Sequence, residues 1–450
     1  MKLKPSVGIL TNFYEFNEGY SLSTIAKNQV YMLLANGHKV KLFCGSNYKG
    51  TAPVPLPPDD LAKYTGLTTS QIAEQLTVLP VIPGTPELAD YWSQEELSEE
   101  HSKMAQHTVD ILRLHLRNVD VVFSHDWIFQ GWYLPYAVAL QTLCNELTDK
   151  IWFHWVHSIP SHEPRDWWVL RKYGPRSKVI VPTRTDRVRL MQSYKGKLED
   201  VRVIPHIVDN RTWAGFSSDT CKFLRAYPKA MRASITQVYP ASSDRLEAKG
   251  IKFLLKIFGF FKKQNVDIFL TIANQHTTTR TRKEEIGDYI NYAEEQCGMY
   301  HGVDFVFTST FDAPSYENGI GRTFLRELLM LSNVFVYPTR DETFGLIGPE
   351  AALSAGCYVV TNKSMDLMGE VMGHMPLGFD FGSYHREFIP WGGNWDGYLN
   401  AVALIILGRM AEQEGILAQT HIRQFYNWDR LYERVYEPLM TEVYALLGGD

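Results

Sequence analysis

The chain lacks the cysteine and hydrophobic patterns of disulfide-rich or membrane-spanning proteins. Its five cysteines are odd in number and widely scattered, and no two of them form a Cys-x-x-Cys pair. This argues against a disulfide framework or a cysteine-based zinc site and is typical of a reducing cytoplasm. Apolar runs such as residues 401–407 are far shorter than the ~18 residues that span a membrane. We therefore expect a cytoplasmic protein without a transmembrane segment, and residues 6–11 are interpreted as a first β-strand and not as a signal peptide.

Several motifs of nucleotide and hydrolytic chemistry are also missing. The chain contains no P-loop motif, no His-Glu-x-x-His and no Gly-x-Ser-x-Gly, which argues against the P-loop, zincin and serine-hydrolase classes. Residues 319–324, GIGRTF, lack the third glycine of a dinucleotide fingerprint. No Asp-x-Asp occurs, so a metal-held diphosphate is disfavoured and positively charged side chains are left to neutralise a phosphate group. We expect no metal and no tightly bound cofactor.

Length and composition predict a globular protein of two domains. The chain has 450 residues, more than one hydrophobic core ordinarily serves. Hydrophobic residues make up 45% of the chain and charged residues 21%, which argues against disorder. The net charge of −5 gives the whole chain no general attraction to nucleic acids or membranes.

Strand-like apolar runs alternate with helical patterns through both halves of the chain. The predicted strands are 6–11, 39–44, 119–126, 151–159, 177–183 and 201–209 in the first half, and 234–240, 266–274, 303–310, 333–339 and 357–361 in the second. Such runs are typical of parallel sheets covered by helices on both faces, and predict an α/β fold with two doubly wound domains. Residues 50–100 are interpreted as an insertion with one short strand, and residues 427–448 as one long amphipathic helix.

Two glutamates, Glu342 and Glu350, flank a glycine-containing loop after the predicted strand 333–339. Ligands of open α/β sheets bind at the carboxyl ends of the strands, and Glu342 follows such an end. Glu350 falls in the first turn of a predicted helix, whose N–H groups attract anions. Carboxylates also accept hydrogen bonds from sugar hydroxyls. The alternative is that Glu350 only favours the helix terminus and that Glu342 is solvated.

Arg245 and Lys249 form a second candidate site, in a loop between a predicted strand and a helix that begins near Gly250. A guanidinium fork and an ammonium group at such a loop suit a diphosphate. The alternative is a solvated loop with ordinary charges.

Two histidines, His125 and His157, lie at the carboxyl ends of predicted strands in the first domain, and His154 is predicted to lie deeper in the core. A single histidine in such a place is often satisfied locally. As a pair facing the second domain, His125 and His157 are candidates for a role in catalysis.

Taken in this order, the segments resemble the retaining glycosyltransferases of the GT-B fold, the class that includes glycogen synthase and sucrose synthase. ETFGLIGPEAALSAGCYVVT is similar to the family's E-x7-E motif, and DRLEAKG to its diphosphate loop. VVFSHDW resembles the His-Asp-Trp of glycogen synthases, and NWDRLYERVYEPL resembles the terminal helix that crosses back to the first domain. The resemblance implies two Rossmann-like domains facing across a cleft. Residues 1–212, completed by a crossover helix in 425–450, would bind the acceptor, and residues 213–424 the nucleotide-sugar.

The resemblance also implies roles for the residues around the two glutamates. Glu350 should bind the ribose hydroxyls of a nucleotide-sugar, which family habit suggests is a UDP-sugar. Glu342 should face the donor sugar, with the backbone of Phe344, Gly345 and Leu346 beside it.

The other implied roles concern the diphosphate and the transferring sugar. Arg245 and Lys249 should hold the diphosphate, and His157 should lie by the transferring sugar with His125 close to it. Gly19 is the single glycine of a first loop in which the family usually has two. The implied reaction retains configuration by front-face attack, because both glutamates have binding roles and neither is left to act as a nucleophile. Arg245 and Lys249 would stabilise the departing phosphate, which itself takes the acceptor proton.

The acceptor is the open part of this interpretation. Residues 161–232 contain 16 Lys and Arg against 7 Asp and Glu, a local net charge of 16 − 7 = +9, with aromatic residues interleaved. A polyanion such as DNA with hydroxymethylated bases is one candidate acceptor, with salt-dependent binding and a base taken out of the stack. A glycan, lipid or small-molecule hydroxyl is the alternative. A nucleotide-sugar epimerase or a phosphorylase of the same fold, and a non-catalytic sugar-nucleotide-binding protein, also stay open.

Overall fold

The computed structural model describes residues 4–12, 21–46, 56–84, 97–129, 133–160, 165–275, 280–313, 315–354, 356–374 and 376–448. The chain divides into two compact units: unit 1 is Met1–Thr212 with Tyr426–Asp450, and unit 2 is Trp213–Phe425. Each unit contains parallel strands and helices, which confirms the predicted α/β class. Within the described segments, no helix has the length and hydrophobicity needed to cross a bilayer.

Unit 1 contains one sheet of seven parallel strands, in the order β3-β2-β1-β4-β5-β6-β7. Their bounds are β1 Val7–Leu10, β2 Val40–Gly45, β3 Leu76–Ile82, β4 Val121–His125, β5 Ile151–Trp155, β6 Ser177–Val181 and β7 Val201–Val203. Strands β1, β4 and β5 are buried along their whole length, which explains their continuous apolar sequences. The order reverses between β1 and β4, so the carboxyl ends of these strands flank the switch point at which such sheets bind ligands.

Along the sequence, the helices of unit 1 mainly connect one strand to the next. Their bounds are α1 Ser21–Ala35, α2 Pro58–Thr65, α3 Thr69–Gln75, α4 Glu99–His115, α5 Leu134–Glu146 and α6 Arg187–Ser193, with the short α7 Asn210–Trp213 at the boundary between the units. The region interpreted as an insertion with one short strand is more regular than predicted. Helices α2 and α3 precede β3, which pairs in parallel with β2 and so extends the sheet by one strand.

The end of the chain is not the single α-helix that its amphipathic pattern predicted. Helices α17 Trp428–Leu431 and α18 Glu437–Leu446 are separated by a π-helical turn, Tyr432–Tyr436. Both tyrosines of this turn are buried against unit 1. Tyr432 OH lies 2.8 Å from His38 Nε2, and the Tyr436 ring lies 6.1 Å from that of Phe123. A wide turn of this kind adds a residue to the helix, which a pattern of helical spacing does not reveal.

Unit 2 contains two three-stranded parallel ladders, β10-β9-β8 and β11-β12-β13. Their strands are β8 Ile235–Pro240, β9 Ile268–Ala273, β10 Phe305–Phe307, β11 Val334–Tyr337, β12 Tyr358–Asn362 and β13 Leu377–Phe379. The side chain of Gln237 on β8 connects the ladders, because its amide oxygen accepts from Val336 N–H and its nitrogen donates to Val336 O, both at 2.9 Å. Strands β8 and β11 therefore lie side by side although no backbone ladder joins them.

The helices of unit 2 complete its layers. Their bounds are α8 Ser218–Ala226, α9 Lys229–Arg232, α10 Ile251–Lys263, α11 Arg280–Cys297, α12 Arg322–Leu331, α13 Ile347–Leu353, α14 Asp366–Met372, α15 Trp395–Ala411 and α16 Glu414–Phe425. Helix α10 shows why these segments fold as they do. Ile251, Leu254, Leu255 and Phe258 recur at helical spacing and are all buried, and two lysines occupy the last turn, where they favour the negative end of the helix dipole.

Candidate functional site

Unit 2 has a cavity of about 490 Å³ at the carboxyl ends of its strands. The loops after β8, β9 and β11 supply most of its lining, together with the segment before α12. The lining residues are Pro240, Ala241, Ser242, Lys249, Ala273, Asn274, Gln275, Gly319, Ile320, Leu325 and 342–347. Of the residues predicted from sequence, this cavity brings together Lys249, Glu342 and the loop 344–346.

An ion pair between Lys249 and Glu342 lies at the wall of this cavity. The Lys249 ammonium donates to Glu342 Oε1, and the two side chains are only 13% and 11% exposed. Tyr337 OH donates to the same carboxylate oxygen at 2.9 Å. Burial and the neighbouring carboxylate raise the pKa of Tyr337, which therefore stays a neutral donor. Sequence reasoning missed Tyr337, although its place at the end of β11 is a signal that could have found it.

Two glycines allow the backbone to approach closely at this wall. Gly250 has φ +69°, and a Cβ there would lie 2.4 Å from Pro338 O. Gly345 has φ +74°, and a Cβ there would lie 2.7 Å from Tyr337 OH. Both positions combine a left-handed backbone with a lack of space, so a side chain at either position is doubly disfavoured.

Arg245 does not line the cavity, and its guanidinium is turned toward Asp341. Nη2 of Arg245 donates to Asp341 Oδ2 at 2.8 Å and to the Asp341 carbonyl at 3.2 Å. Both side chains are partly exposed, so the pair is held less firmly than Lys249 and Glu342. Asp341 was not predicted as the partner of Arg245, because the sequence of a loop does not show in which direction a side chain points.

Glu350 lines a second cavity, of about 560 Å³, between α12 and α13. It lies in the first turn of α13 as predicted, and its Oε1 accepts from Arg322 Nη2 at 2.5 Å. Arg322 is 85% exposed, and nothing in the sequence pointed to it. Leu325 lines both cavities, so the two glutamates lie in neighbouring cavities.

The loop between the glutamates presents apolar side chains to solvent. Phe344 is 52% exposed and Leu346 is 65% exposed. Gly345 between them is buried against Tyr337. Phe344 and Leu346 both line the first cavity, so their apolar surfaces are available to a ligand there.

Asn274, at the end of β9, fixes the floor of the first cavity. Its amide nitrogen donates to Ser243 Oγ at 3.0 Å and to Ser309 Oγ at 2.9 Å, and its oxygen accepts from Ser309 N–H. Ser243 in turn donates to the Gln275 carbonyl. This buried network joins the ends of three strands, and was not predicted because its members lie far apart in sequence.

In unit 1, the two predicted histidines belong to a chain of three. His125 Nδ1 lies 2.9 Å from His157 Nε2, and His157 Nδ1 lies 2.9 Å from His206 Nε2. The inner end of this histidine chain is bonded to Gln29, whose Oε1 lies 3.0 Å from His125 Nε2. The Trp155 ring stacks on His125 and on His157 at 5.3 Å. His206 was not predicted, because it lies 49 residues from His157.

Burial keeps this histidine chain uncharged. It lowers the pKa of His125 to about 3 and also lowers the pKa values of His157 and His206. Beside the chain, burial raises the pKa of Asp126 to about 6, against the opposing effect of a hydrogen bond from His157 N–H at 3.0 Å. His154 is fully buried as predicted, with Nδ1 2.9 Å from Ser124 Oγ.

The basic segment 161–232 is partly neutralised by carboxylates. Its ion pairs include Lys172 with Asp166, Lys178 with Asp200, Lys197 with Glu199, Arg202 with Glu442, Arg211 with Asp209, Lys222 with Asp312 and Lys229 with Asp304. A cavity of about 450 Å³ is lined by Arg171, Lys195 and Lys197. It lies next to the starts of β6 and β7, whereas the histidines follow the ends of strands, so the two features occupy opposite edges of the sheet.

Two further expectations concern the first loop and metal binding. Gly19 lies outside the described residues. Among the residues that the structure does describe, there is no group of three or more His, Cys, Asp or Glu side chains arranged to hold a metal ion.

Comparison with known proteins gives structural similarity only. No protein-family model matches the chain, and no curated protein matches its sequence. A glycosyltransferase from Rickettsia africae is similar at 13% identity, with 98% of each chain covered and a TM-score of 0.35. HepE from Anabaena in complex with UDP and glucose is similar at 14% identity, covering 97% of this chain and 100% of that one, with a TM-score of 0.33. An E. coli trehalose-6-phosphate protein bound with UDP-2-fluoro glucose is similar at 11% identity, covering 97% and 99%, with a TM-score of 0.33. TM-scores in this range are too low to assign a function to the chain.

Proposed function

We propose that the chain is a retaining glycosyltransferase of the GT-B type, which moves a sugar from a nucleotide-sugar to a hydroxyl acceptor. Unit 2 would bind the donor and unit 1 the acceptor. The observation that carries the proposal is the unit 2 cavity, in which Lys249, Glu342 and the loop 344–346 meet at the carboxyl ends of the strands. This is the place where open α/β sheets bind nucleotides.

The ion pairs of unit 2 support a site that receives a dianion. Lys249 is neutralised by Glu342, and Arg245 is neutralised by Asp341. A diphosphate would give both cations a new anionic partner and free the two carboxylates for hydroxyl groups. Glu342 would then face the donor sugar, with Tyr337 still donating to it.

The second cavity suits the ribose end of the same donor. The Glu350 carboxylate accepts from Arg322, whose side chain is mostly exposed, so the pair is weak and opens at little cost. Once Arg322 turns aside, the Glu350 carboxylate is available to a pair of ribose hydroxyls. Phe344 and Leu346 offer apolar contact between the two positions.

The chemistry follows from charge placement. Leaving-group charge develops on the phosphate in the transition state, and Lys249 and Arg245 stabilise it electrostatically. Glu342 would keep the hydrogen bond from Tyr337 and accept from hydroxyls of the donor sugar, a binding role that favours front-face attack over a covalent intermediate. The departing phosphate would take the proton of the acceptor hydroxyl.

The proposal is tested with labelled UDP-sugars and the full chain. Transfer to glycan acceptors and to hydroxymethylcytosine DNA is measured together with the release of free UDP. Release that depends on an acceptor indicates transfer, whereas acceptor-independent conversion of the sugar indicates an epimerase. UDP binding without turnover on any acceptor would indicate a non-catalytic binding protein.

A matched pair of variants tests the site itself. We expect Lys249→Met to lower transfer about 100-fold, the effect of removing one electrostatic stabiliser. Lys256→Met is the control, because Lys256 on α10 is 14% exposed and paired with Asp396, but lines neither the cavity at Glu342 nor the cavity at Glu350. Equal turnover of the two variants would remove Lys249 from the site.

The DNA acceptor stays a prediction with reduced support. Carboxylates from outside residues 161–232 pair with cations that include Arg202, Lys222 and Lys229, and the basic cavity lies at the edge of the sheet opposite to the histidines. A glycan or small-molecule hydroxyl needs no such charge, and we expect it to be the better acceptor. Incorporation of label into DNA that falls steeply with salt would reverse this order.

A further inference from the structure

The hydrogen bonds of the histidine chain in unit 1 couple the tautomers of its rings. A hydrogen bond between two neutral imidazoles needs an N–H on one ring and a lone pair on the other. Each neutral ring carries one of each, so the tautomer of one ring determines that of the next. The two ring-to-ring distances of 2.9 Å therefore couple the tautomers of His125, His157 and His206.

The inner end of the chain determines its direction. Gln29 places its amide oxygen 3.0 Å from His125 Nε2 and its nitrogen 3.3 Å from Tyr436 OH. An oxygen at this position only accepts, so His125 carries its proton on Nε2, and its Nδ1 accepts a hydrogen bond from His157 Nε2–H. The same reasoning places the proton of His157 and of His206 on Nε2.

The outer end of the histidine chain is His206. Both nitrogens of His125 and of His157 are hydrogen-bonded within the chain, whereas Nδ1 of His206 has no hydrogen-bond partner among the described residues. His206 is also only partly buried. It follows β7, near the carboxyl edge of the sheet where His125 and His157 end their own strands.

We propose that His206 Nδ1 is a hydroxyl-binding site, which accepts a hydrogen bond from a polyhydroxylated substrate such as a sugar. His157, His125 and Gln29 are positioning residues that hold the His206 ring and its tautomer. Burial of the chain keeps the imidazole neutral, so that its lone pair stays available. The substrate class rests on the proposed function, because a sugar transferase needs a hydroxyl acceptor, but the tautomer of His206 does not.

Nitrogen-15 NMR of protein with labelled histidines determines the tautomers of the histidine chain and requires no measurement of enzymatic activity. A neutral imidazole shows one N–H and one lone-pair nitrogen, which differ clearly in chemical shift. We expect His125, His157 and His206 to carry their protons on Nε2. His38 is an internal reference of opposite tautomer, because its Nδ1 lies 3.0 Å from the Pro5 carbonyl and must donate. A His206 that carries its proton on Nδ1 at neutral pH would overturn the proposal.

Free glucose is the probe for hydroxyl binding in the same experiment. We expect glucose to shift the His206 Nδ1 resonance and to leave His38 unchanged. Gln29→Leu removes the acceptor that fixes the chain, and should give mixed tautomers at His157 and His206 while the fold persists. A Gln29→Leu protein with unchanged tautomers would exclude the positioning role.

Kinetics separate this proposal from the proposed function. If sugar transfer is found, His206→Ala should raise the acceptor KM at least tenfold and leave UDP binding unchanged. His206→Gln should restore the hydrogen bond to His157 but not the acceptor KM. An unaltered acceptor KM in both variants would exclude hydroxyl binding by His206. If no sugar is transferred at all, the proposed function fails, and the tautomers and the glucose shift still decide the site.

Discussion

The two units place different kinds of polar groups at the carboxyl edges of their sheets. Unit 1 gathers imidazoles that burial keeps neutral, joined ring to ring from His125 to His206. Unit 2 gathers formal charges, and each candidate cation there is held by a carboxylate, as Lys249 is by Glu342. A neutral chain presents a lone pair of fixed direction, whereas ion pairs present charges that can change partner.

The two kinds of polar group suit different ligands. A hydroxyl ligand needs a directional acceptor and gains little from charge, which matches the edge of unit 1. A diphosphate needs cations, and if unit 2 binds one as proposed, its carboxylates would hold those cations in place beforehand. The difference also predicts that the two units respond differently to substitution and to pH.

The largest expected effect concerns the backbone that supports the charged edge. Gly250→Ala would place a Cβ 2.4 Å from Pro338 O on a left-handed backbone. Strain and overpacking together should lower the free energy of unfolding of unit 2 by roughly 2–5 kcal/mol. Thermal unfolding followed by circular dichroism measures this loss.

Gly37→Ala is the matched control for this change. Gly37 has φ +76°, but a Cβ there would have no atom within 4 Å, so only the strain of about 1–2 kcal/mol remains. If Gly250→Ala is no less stable than Gly37→Ala, then the close approach at Pro338 does not support the unit 2 edge.

The charged edge was easier to predict from sequence than the neutral one. Glu342 and Glu350 follow a strand and begin a helix within nine residues, so local patterns are enough to place them. The α/β class was predictable for the same reason, since buried strands such as β4 have continuous apolar sequences. The ion-pair partners of the two glutamates were not predictable. Arg322, for example, lies 28 residues before Glu350, and its side-chain direction depends on how α12 packs.

The neutral edge depends on contacts that no local pattern contains. His125, His157 and His206 come from three separate strand ends, and Gln29 lies on a helix 96 residues before His125. Each residue alone is unremarkable in sequence, so the chain of hydrogen bonds exists only in the folded unit. The same holds for Gln237, whose amide replaces a ladder between β8 and β11.

The next largest effect is the acid sensitivity of unit 1. The pKa values of His125, His157 and His206 are lowered in the folded unit, so the unfolded chain binds more protons below pH 6.5. Their contribution is fully present above pH 6.5 and is lost as the pH falls toward 3. Each histidine that stays neutral loses about 1.4 kcal/mol of stabilisation per pH unit below 6.5, so we expect His125 alone to account for a loss of about 2 kcal/mol between pH 7 and pH 5, to which His157 and His206 add.

Tryptophan fluorescence during urea unfolding at several pH values measures this loss, because the Trp155 ring stacks on two of the histidines. A His125→Asn protein should lose less stability over the same pH range. A stability of unit 1 that is constant from pH 7 to pH 5 would contradict the neutral chain.

A smaller and opposite effect is expected at Asp126. Burial raises its pKa to about 6, so its contribution is fully present below pH 3.8 and is lost as the pH rises through 6. Asp126→Asn keeps an oxygen for His157 N–H without the buried charge. It should stabilise unit 1 by about 1–3 kcal/mol at pH 7 and by progressively less as the pH falls. Urea unfolding at pH 7 and pH 4 measures both values, and equal changes at the two would contradict the raised pKa.

The smallest expected effect is at the exposed pair of the charged edge. Arg322 is 85% exposed and Glu350 is 27% exposed, so the pair is screened by solvent and should contribute less than about 1 kcal/mol. Arg322→Ala should therefore leave the thermal unfolding of unit 2 nearly unchanged. If Glu350 binds ribose hydroxyls, the same variant should bind UDP as well as or better than the original chain, because its carboxylate no longer has to leave a partner. Calorimetric titration with UDP measures this affinity. Weaker binding would mean that Arg322 itself contacts the nucleotide. The second cavity would then recognise UDP through the positive charge of Arg322 and not through the Glu350 carboxylate.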